Sequence, residues 1–107
     1  MVLEVHQTAL EHGWWDDGVE SRNTLELLML VVCEVAEAAE HYRDGRGVNE
    51  IFFHENGKPD GIPIELADVL IRIMDLSAAW GFDLDEAIRM KAEYNKGRPY
   101  RHGGKLA

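Results

Sequence analysis

The sequence is poor in cysteine and in basic residues, and it has no long uninterrupted apolar run. Its single cysteine, Cys33, stands inside the apolar stretch LMLVVCEV, which predicts a small core residue rather than a thiol nucleophile or half of a disulfide. Eleven Lys and Arg against twenty Asp and Glu leave a net charge of -9, which argues against a surface that coats nucleic acid. No run approaches the roughly 18 apolar residues of a membrane span, so we expect a soluble protein.

The start of the sequence also lacks the pattern of a secretory signal. The residues MVLEVHQTALEHG contain acids and histidines where a signal peptide has a basic stretch followed by a continuous apolar one. We therefore expect a cytoplasmic protein with neither a membrane nor a nucleic-acid polymer as its partner. The 107 residues are predicted to form a single domain, 1–107, whose thin core favours oligomerisation.

Glycines, prolines and capping residues divide the sequence into four helical segments. The predicted helices run from about Val2 to His12, from just after Asn23 to about Arg43, from Ile64 to Trp80, and from Asp83 to near Gly97. The Gly- and Pro-rich residues 44–63 predict a long loop with a short hairpin around Ile51 to His54. No other segment alternates like a core strand, so we predict an all-α, four-helix, bundle-like fold. Residues 98–107 are predicted to be a flexible tail, either a flap over ligand or a frayed end.

The second helix is apolar on nearly every side. Seven apolar residues form the face that we expect to be the core: Leu25, Leu28, Met29, Val32, Val35, Ala36 and Ala39. The opposite side is also largely apolar, and Glu34 and Glu37 project from it about 60° apart. Because a helix that is apolar all round is buried, we expect both acids to be partly buried.

The third helix repeats this arrangement with a single polar stripe, which consists of Glu65, Asp68, Arg72 and Asp75. Two helices thus each offer two carboxylates at i, i+3. Several buried carboxylates must either take up protons or hold a cation. The constellation has no Cys and no matched His, so it suits Mg²⁺, or Mn²⁺ as a substitute, better than zinc. The predicted metal ligands are Glu34, Glu37, Glu65 and Asp68.

Other interpretations of the same acids stay open. They could line a solvated groove, or they could pair with Arg72, Arg43 and the C-terminal bases. Di-iron sites use Glu-x-x-His pairs, which neither helix has, and His41 is at best a neighbour of the acids. Asp75 could be a further ligand or a group that supports one.

The C-terminal end is basic, since six of the eleven Lys and Arg lie in the last nineteen residues. Lys91, Asn95 and Arg98 share one face of the fourth helix and could hold phosphate oxygens, although bases also suit any helix C-terminus. Trp14 and Trp15, between the first two helices, could stack on a base or fill the core.

Together these residues resemble the MazG-like nucleotide pyrophosphohydrolases, in the all-α superfamily that includes dimeric dUTPases and phosphoribosyl-ATP pyrophosphatases. The resemblance covers nearly the whole chain and is carried by GWWD, EVAEAAEHYR, GKPDGIPIELADVLIRIMDL and KAEYNKGRPYRHGGK. The family pattern is Glu-Glu-x-x-Glu followed by Glu-x-x-Asp. Glu34 and Glu37 match its second and third acids, and Glu65 and Asp68 match the later pair. Cys33 stands at the first position, so this chain has one acid fewer.

The resemblance implies a MazG fold assembled as a homodimer or a dimer of dimers, with the active site near the subunit interface. It also implies Mg²⁺-dependent hydrolysis of (deoxy)nucleoside triphosphates to the monophosphate and pyrophosphate, which clears canonical or damaged nucleotides from the pool. The four acids would be catalytic as metal ligands, and one of them, left unassigned, could accept the proton of the attacking water. The substrate would contact Lys91, Asn95, Arg98, Trp14 and Trp15.

Two alternative functions stay open beside this one. The chain could hydrolyse another phosphoanhydride, such as a phosphoribosyl nucleotide. It could also be a non-catalytic helical module that senses nucleotides or mediates an interaction.

Overall fold

The computed structural model describes residues 1–99. Its elements are α1 (Val2–Glu11), a 3₁₀ turn (Val19–Ser21), α2 (Thr24–Arg43), β1 (Phe52–Phe53), β2 (Pro59–Asp60), α3 (Ile62–Trp80) and α4 (Leu84–Lys96). The all-α class is therefore confirmed. Of the predicted tail, 98–107, residues 100–107 lie outside the described residues. None of the described helices combines the length and the apolar character needed to cross a membrane.

Side-chain caps begin two of the helices where the sequence predicts them. The Asn23 side chain accepts a hydrogen bond of 3.0 Å from the backbone amide of Glu26, at the start of α2. Asp83 accepts a bond of the same length from the amide of Glu86, at the start of α4. Each cap satisfies an amide that has no partner within its helix, which makes helix initiation at this residue favourable.

α3 begins two residues earlier than predicted, at Ile62. Pro63 lies inside its first turn, where a missing amide hydrogen costs no hydrogen bond. The helix ends at Trp80, and Gly81 follows in the left-handed conformation with a φ of 77°. The predicted hairpin is present as the antiparallel pairing of Phe52 with Asp60 and of Phe53 with Pro59.

α3 is the central helix of the fold, since α1, α2 and the hairpin all pack against it. The core between these elements is thin, with Trp15, Leu27 and Leu76 as its buried cluster. Asp75, also buried, ties the first part of the chain to α3. Its two oxygens accept bonds of 3.1 and 3.0 Å from the Trp15 indole, and His6 Nδ1 lies 2.6 Å from Oδ1.

The face of α2 that we expected to form the core is exposed. Five of its side chains keep 45 to 73 % of their surface accessible: Leu25, Leu28, Met29, Val32 and Val35. Cys33 is exposed as well, so its assignment to the core is wrong within this chain. A helix that is apolar all round has two sides to bury, and residues 1–99 cover only the side that carries Glu34.

α4 extends away from the other helices. None of its residues is buried, and within residues 1–99 it has no packing comparable to that of α1 or α2 on α3. The radius of gyration is 16.8 Å, against about 13 Å for a compact chain of about 100 residues. The predicted bundle-like packing of four helices is thus incomplete within one chain.

The connection from β2 into α3 depends on Gly61. Its φ is +121°, and a Cβ at this position would collide with the backbone oxygen of Glu50. We therefore expect Gly61→Ala to lower the free energy of unfolding by more than about 1 kcal/mol, because it adds a steric clash to backbone strain. Urea unfolding at a fixed protein concentration measures the difference.

Gly57→Ala is the matched control in the same hairpin. Gly57 also has a positive φ, +88°, but a Cβ there would meet no atom within 4 Å. Its substitution adds strain without a clash and should cost less. Equal losses in the two variants would contradict the steric explanation.

Candidate metal centre

The packing of α2 on α3 brings together three of the four predicted ligands. Glu34, Glu37 and Glu65 each offer a carboxylate oxygen, and these oxygens lie within 4.8 Å of one another. Glu34 and Glu65 are buried, whereas Glu37 is exposed. The cluster is therefore closed on the side of the core and open to solvent on the side of Glu37.

Asp68, the fourth predicted ligand, borders this cluster. It is partly buried, one helical turn after Glu65 on α3. Burial raises the pKa of the Asp68 carboxyl, and the negative charge of Glu34 raises it further, while Arg72 lowers it. Asp68 thus belongs to the same electrostatic environment as the three clustered acids.

Glu65 is the least satisfied acid of the cluster. Its Oε2 is buried without a hydrogen-bond partner among the described residues. Burial, reinforced by the neighbouring Glu37 carboxyl, raises the pKa of the Glu65 carboxyl to about 8. A buried carboxylate in this condition needs either a proton or a cation. The all-oxygen donor set and the unpaired Oε2 fit a hard divalent cation such as Mg²⁺.

Arg72 compensates one of the buried acids. Its Nε donates a hydrogen bond of 2.9 Å to Oε1 of Glu34, which leaves Oε2 of that carboxylate for another partner. Arg43 instead pairs with the exposed Glu40. Within the described part of the chain, the alternative explanation of the acids, pairing with Lys or Arg, thus accounts for Glu34 but not for Glu65.

A cavity of about 420 Å³ adjoins the acids. This volume lies within the range of small-molecule sites, roughly 300–1,000 Å³. One side is formed by α1 and the turn after it, and the other side by α2 and α3. Its lining residues are Val5, Thr8, Ala9, His12, Trp14, Glu34, Asp68, Ile71, Arg72 and Asp75.

The two tryptophans have different positions relative to this cavity. Trp14 lines it, and the Arg72 guanidinium lies 5.2 Å from its ring centroid. Trp15 is only 5 % exposed, and its indole is bonded to Asp75. Only Trp14 therefore offers ring surface to the cavity, and a stacking role for either residue stays a prediction.

The predicted phosphate-binding residues Lys91, Asn95 and Arg98 do not lie on the helices that carry the acids, and within residues 1–99 α4 does not pack extensively on those helices. The Lys91 Nζ and the Arg98 guanidinium lie 4.9 and 5.7 Å from the ring of Tyr94, on the extended α4. Asn95 lies on the same helix. The role of these residues toward phosphate stays a prediction.

Sequence reasoning missed the contribution of the hairpin. Asp60, buried at the end of β2, has Oδ1 at 2.8 Å from His41 Nε2 and Oδ2 at 2.7 Å from His54 Nε2. The bond with His54 is the largest cause that holds the pKa of the Asp60 carboxyl well below its usual range. His41 Nε2 also lies 3.5 Å from Oε1 of Glu65. The only signal in the sequence was His41 one helical turn after Glu37.

No protein-family model, curated protein or solved structure matches this chain. The likeness of its motifs to the MazG-like nucleotide pyrophosphohydrolases stays an expectation.

The raised pKa of Glu65 should make the stability of the metal-free chain depend on pH. The carboxyl ionises near pH 8 in the folded chain and near 4.5 when unfolded, so the folded chain binds more protons between these values. Stability therefore falls as the pH rises from about 5 to about 8. Glu65→Gln should remove about 1 kcal/mol or more of this loss. Urea unfolding at several pH values with a chelator present measures it.

Glu40→Gln is the control, because it removes an exposed carboxyl from α2 without touching the cluster. It should keep the pH dependence of the unchanged chain. Added Mg²⁺ should restore stability at pH 8 in the unchanged chain, because a ligand of the folded state stabilises it. Parallel pH profiles for the unchanged chain and Glu65→Gln would refute the assigned pKa.

Proposed function

We propose that this chain is a MazG-like, Mg²⁺-dependent pyrophosphohydrolase of (deoxy)nucleoside triphosphates that clears nucleotides from the pool. The observation that carries the proposal is the position of an incompletely satisfied carboxylate cluster at the edge of a cavity. Glu34 and Asp68 line that cavity, and the unpaired oxygen of Glu65 belongs to the same cluster. The four acids match the spacing of the family that the chain resembles.

The acids supply the metal-binding part of the site. Glu34, Glu37 and Glu65 would hold Mg²⁺, with Asp68 beside them. When bound, the ion neutralises phosphate charge and lowers the pKa of a coordinated water. Arg72 keeps one oxygen of Glu34 occupied and so fixes the direction of the other.

The cavity supplies the substrate-binding part. Trp14 provides an aromatic surface for a base, and the α1 side chains provide an apolar wall. The phosphates then extend toward the acids. Arg72 lies between these two regions, since it contacts both the Trp14 ring and the Glu34 carboxylate.

The proposal includes a second copy of the chain, which would cover the exposed apolar surface and complete the site. The accessible surface is 8142 Å², against about 6,000 Å² for a folded monomer of this mass. The exposed apolar face of α2 and the extended α4 account for part of this excess. We infer a homodimer, or a dimer of dimers, in which α2 packs on its outer face and the basic residues of α4 approach a site from a neighbouring copy.

The central test is turnover. A panel of ribo- and deoxynucleoside triphosphates with Mg²⁺ should release pyrophosphate, and Glu37→Gln should lower kcat on the order of 100-fold. Glu37 is exposed and Gln has its shape, so the fold should be kept. Glu40→Gln, one turn further along α2, should turn over like the unchanged chain.

The result also decides between the alternative functions. No pyrophosphate from any nucleoside triphosphate, together with turnover of a phosphoribosyl nucleotide, would favour the other phosphoanhydride. Tight nucleotide binding by calorimetry without any turnover would favour the non-catalytic sensor. Equal turnover in Glu37→Gln and Glu40→Gln would refute the assigned site.

The assembly is tested at the outer face of α2. Val32 is 53 % exposed there, and Val32→Asp would place a charge inside the proposed interface. It should shift the sedimentation coefficient at micromolar concentration from dimer or tetramer to monomer. Leu3→Asp is the control, since Leu3 is 79 % exposed on α1, away from this face. A monomeric unchanged chain would contradict the proposal.

A further inference from the structure

A second group of ligand atoms lies beside the carboxylate cluster, and its chemistry differs. His41, Asp60 and Glu65 each offer one ligand atom, and these atoms lie within 4.8 Å of one another. Three elements contribute to the group: the last turns of α2, the end of β2 and the first turn of α3. An imidazole and two carboxylates from separate parts of the chain thus converge on one point.

The group is largely closed to solvent, and one of its members is unsatisfied. The side chains of His41, Asp60 and Glu65 are 18, 12 and 9 % exposed. Hydrogen bonds satisfy Asp60, but Oε2 of Glu65 has no partner among the described residues. An unpaired buried polar atom destabilises the folded chain, and a cation bound to this carboxylate would supply the missing partner.

We propose that His41, Asp60 and Glu65 bind a divalent first-row transition metal, with Zn²⁺ as its representative. The imidazole nitrogen distinguishes this site from the all-oxygen site, because imidazole favours such metals and Mg²⁺ favours oxygen. Three protein ligands leave a position for water, as in open zinc sites. Glu65 is common to both sites. The proposal concerns metal binding and does not rest on nucleotide hydrolysis.

The surroundings of Asp60 match those of a metal ligand. His54 Nε2 lies 2.7 Å from Oδ2, and the backbone amide of Gly61 donates a bond of 2.8 Å to Oδ1. Such bonds orient a ligating carboxylate, and their loss typically weakens metal binding 10- to 100-fold. His41 Nε2 would exchange its contact with Oδ1 for the metal, and the ring would keep its proton on Nδ1.

The test uses the untagged full chain, freed of metal and titrated with Zn²⁺ in the presence of excess Mg²⁺. The ¹H–¹⁵N correlations of the histidine rings report which nitrogen binds. We expect the Nε2 of one ring, assigned to His41 by through-bond correlation, to move to a metal-bound position at one equivalent. His41→Gln should lose this stoichiometric binding, and His12→Gln, on α1, should keep it. His54→Gln should bind about 10-fold more weakly.

Circular dichroism shows whether each variant is folded, and Asp60→Asn replaces His41→Gln if the latter is not. No movement of the His41 ring in the folded unchanged chain would overturn the proposal. Unaltered Zn²⁺ affinity in a folded His41→Gln or Asp60→Asn would also overturn it, because binding would then occur elsewhere.

The test of the transition-metal site can fail or succeed independently of the test of nucleotide hydrolysis. Glu37→Gln lies outside this group, so it should keep Zn²⁺ on His41 while it loses pyrophosphate release. Zn²⁺ on His41 in a chain that hydrolyses no nucleotide would refute the hydrolase alone. Hydrolysis with an unmoved His41 ring would refute the transition-metal site alone.

Discussion

The burial of Glu34 and Glu65 between α2 and α3 is the constraint on which the rest of the structure depends. The contact between these helices forms the centre of the fold, and it removes both carboxylates from water. Arg72 compensates Glu34, but no Lys or Arg within residues 1–99 forms an ion pair with Glu65, whose Oε2 is unpaired there. Folding thus leaves the Glu65 carboxyl buried and incompletely compensated. The packing of α2 on α3 therefore also creates a place where binding of a cation is favourable.

The parts of the fold that depend on local signals could be predicted from the sequence. Asn23 and Asp83 cap their helices as expected, and the pairs at i, i+3 do bring Glu34, Glu37 and Glu65 together. The orientation of α2 could not be predicted, because a helix that is apolar on all sides has no single periodic face. The pairing of Asp60 with His41 and His54 depends on how the long loop of residues 44–63 folds back onto α2. The spacing of these residues in the sequence does not reveal the conformation of that loop.

α2 therefore has two different surfaces. Its inner side combines apolar residues with acids and packs on α3, whereas its outer side is apolar and uncovered within the described chain. Cys33 and Glu34 are adjacent in sequence and lie on opposite surfaces, the first exposed and the second buried. Substitutions at neighbouring positions of this helix thus fall on separate surfaces, the exposed apolar one and the one that carries the acid cluster.

Because Glu65 lies in the first turn of α3, the site combines the partial positive charge of a helix amino terminus with the negative charges of the acids. A helix amino terminus carries about half a positive charge and attracts anions, whereas the acids around it repel them. With a net charge of -9, the whole chain draws cations and slows the approach of free anions. Under the proposed function, a polyphosphate would thus arrive faster as its magnesium complex than alone, and the concentration of that complex would set the rate of encounter.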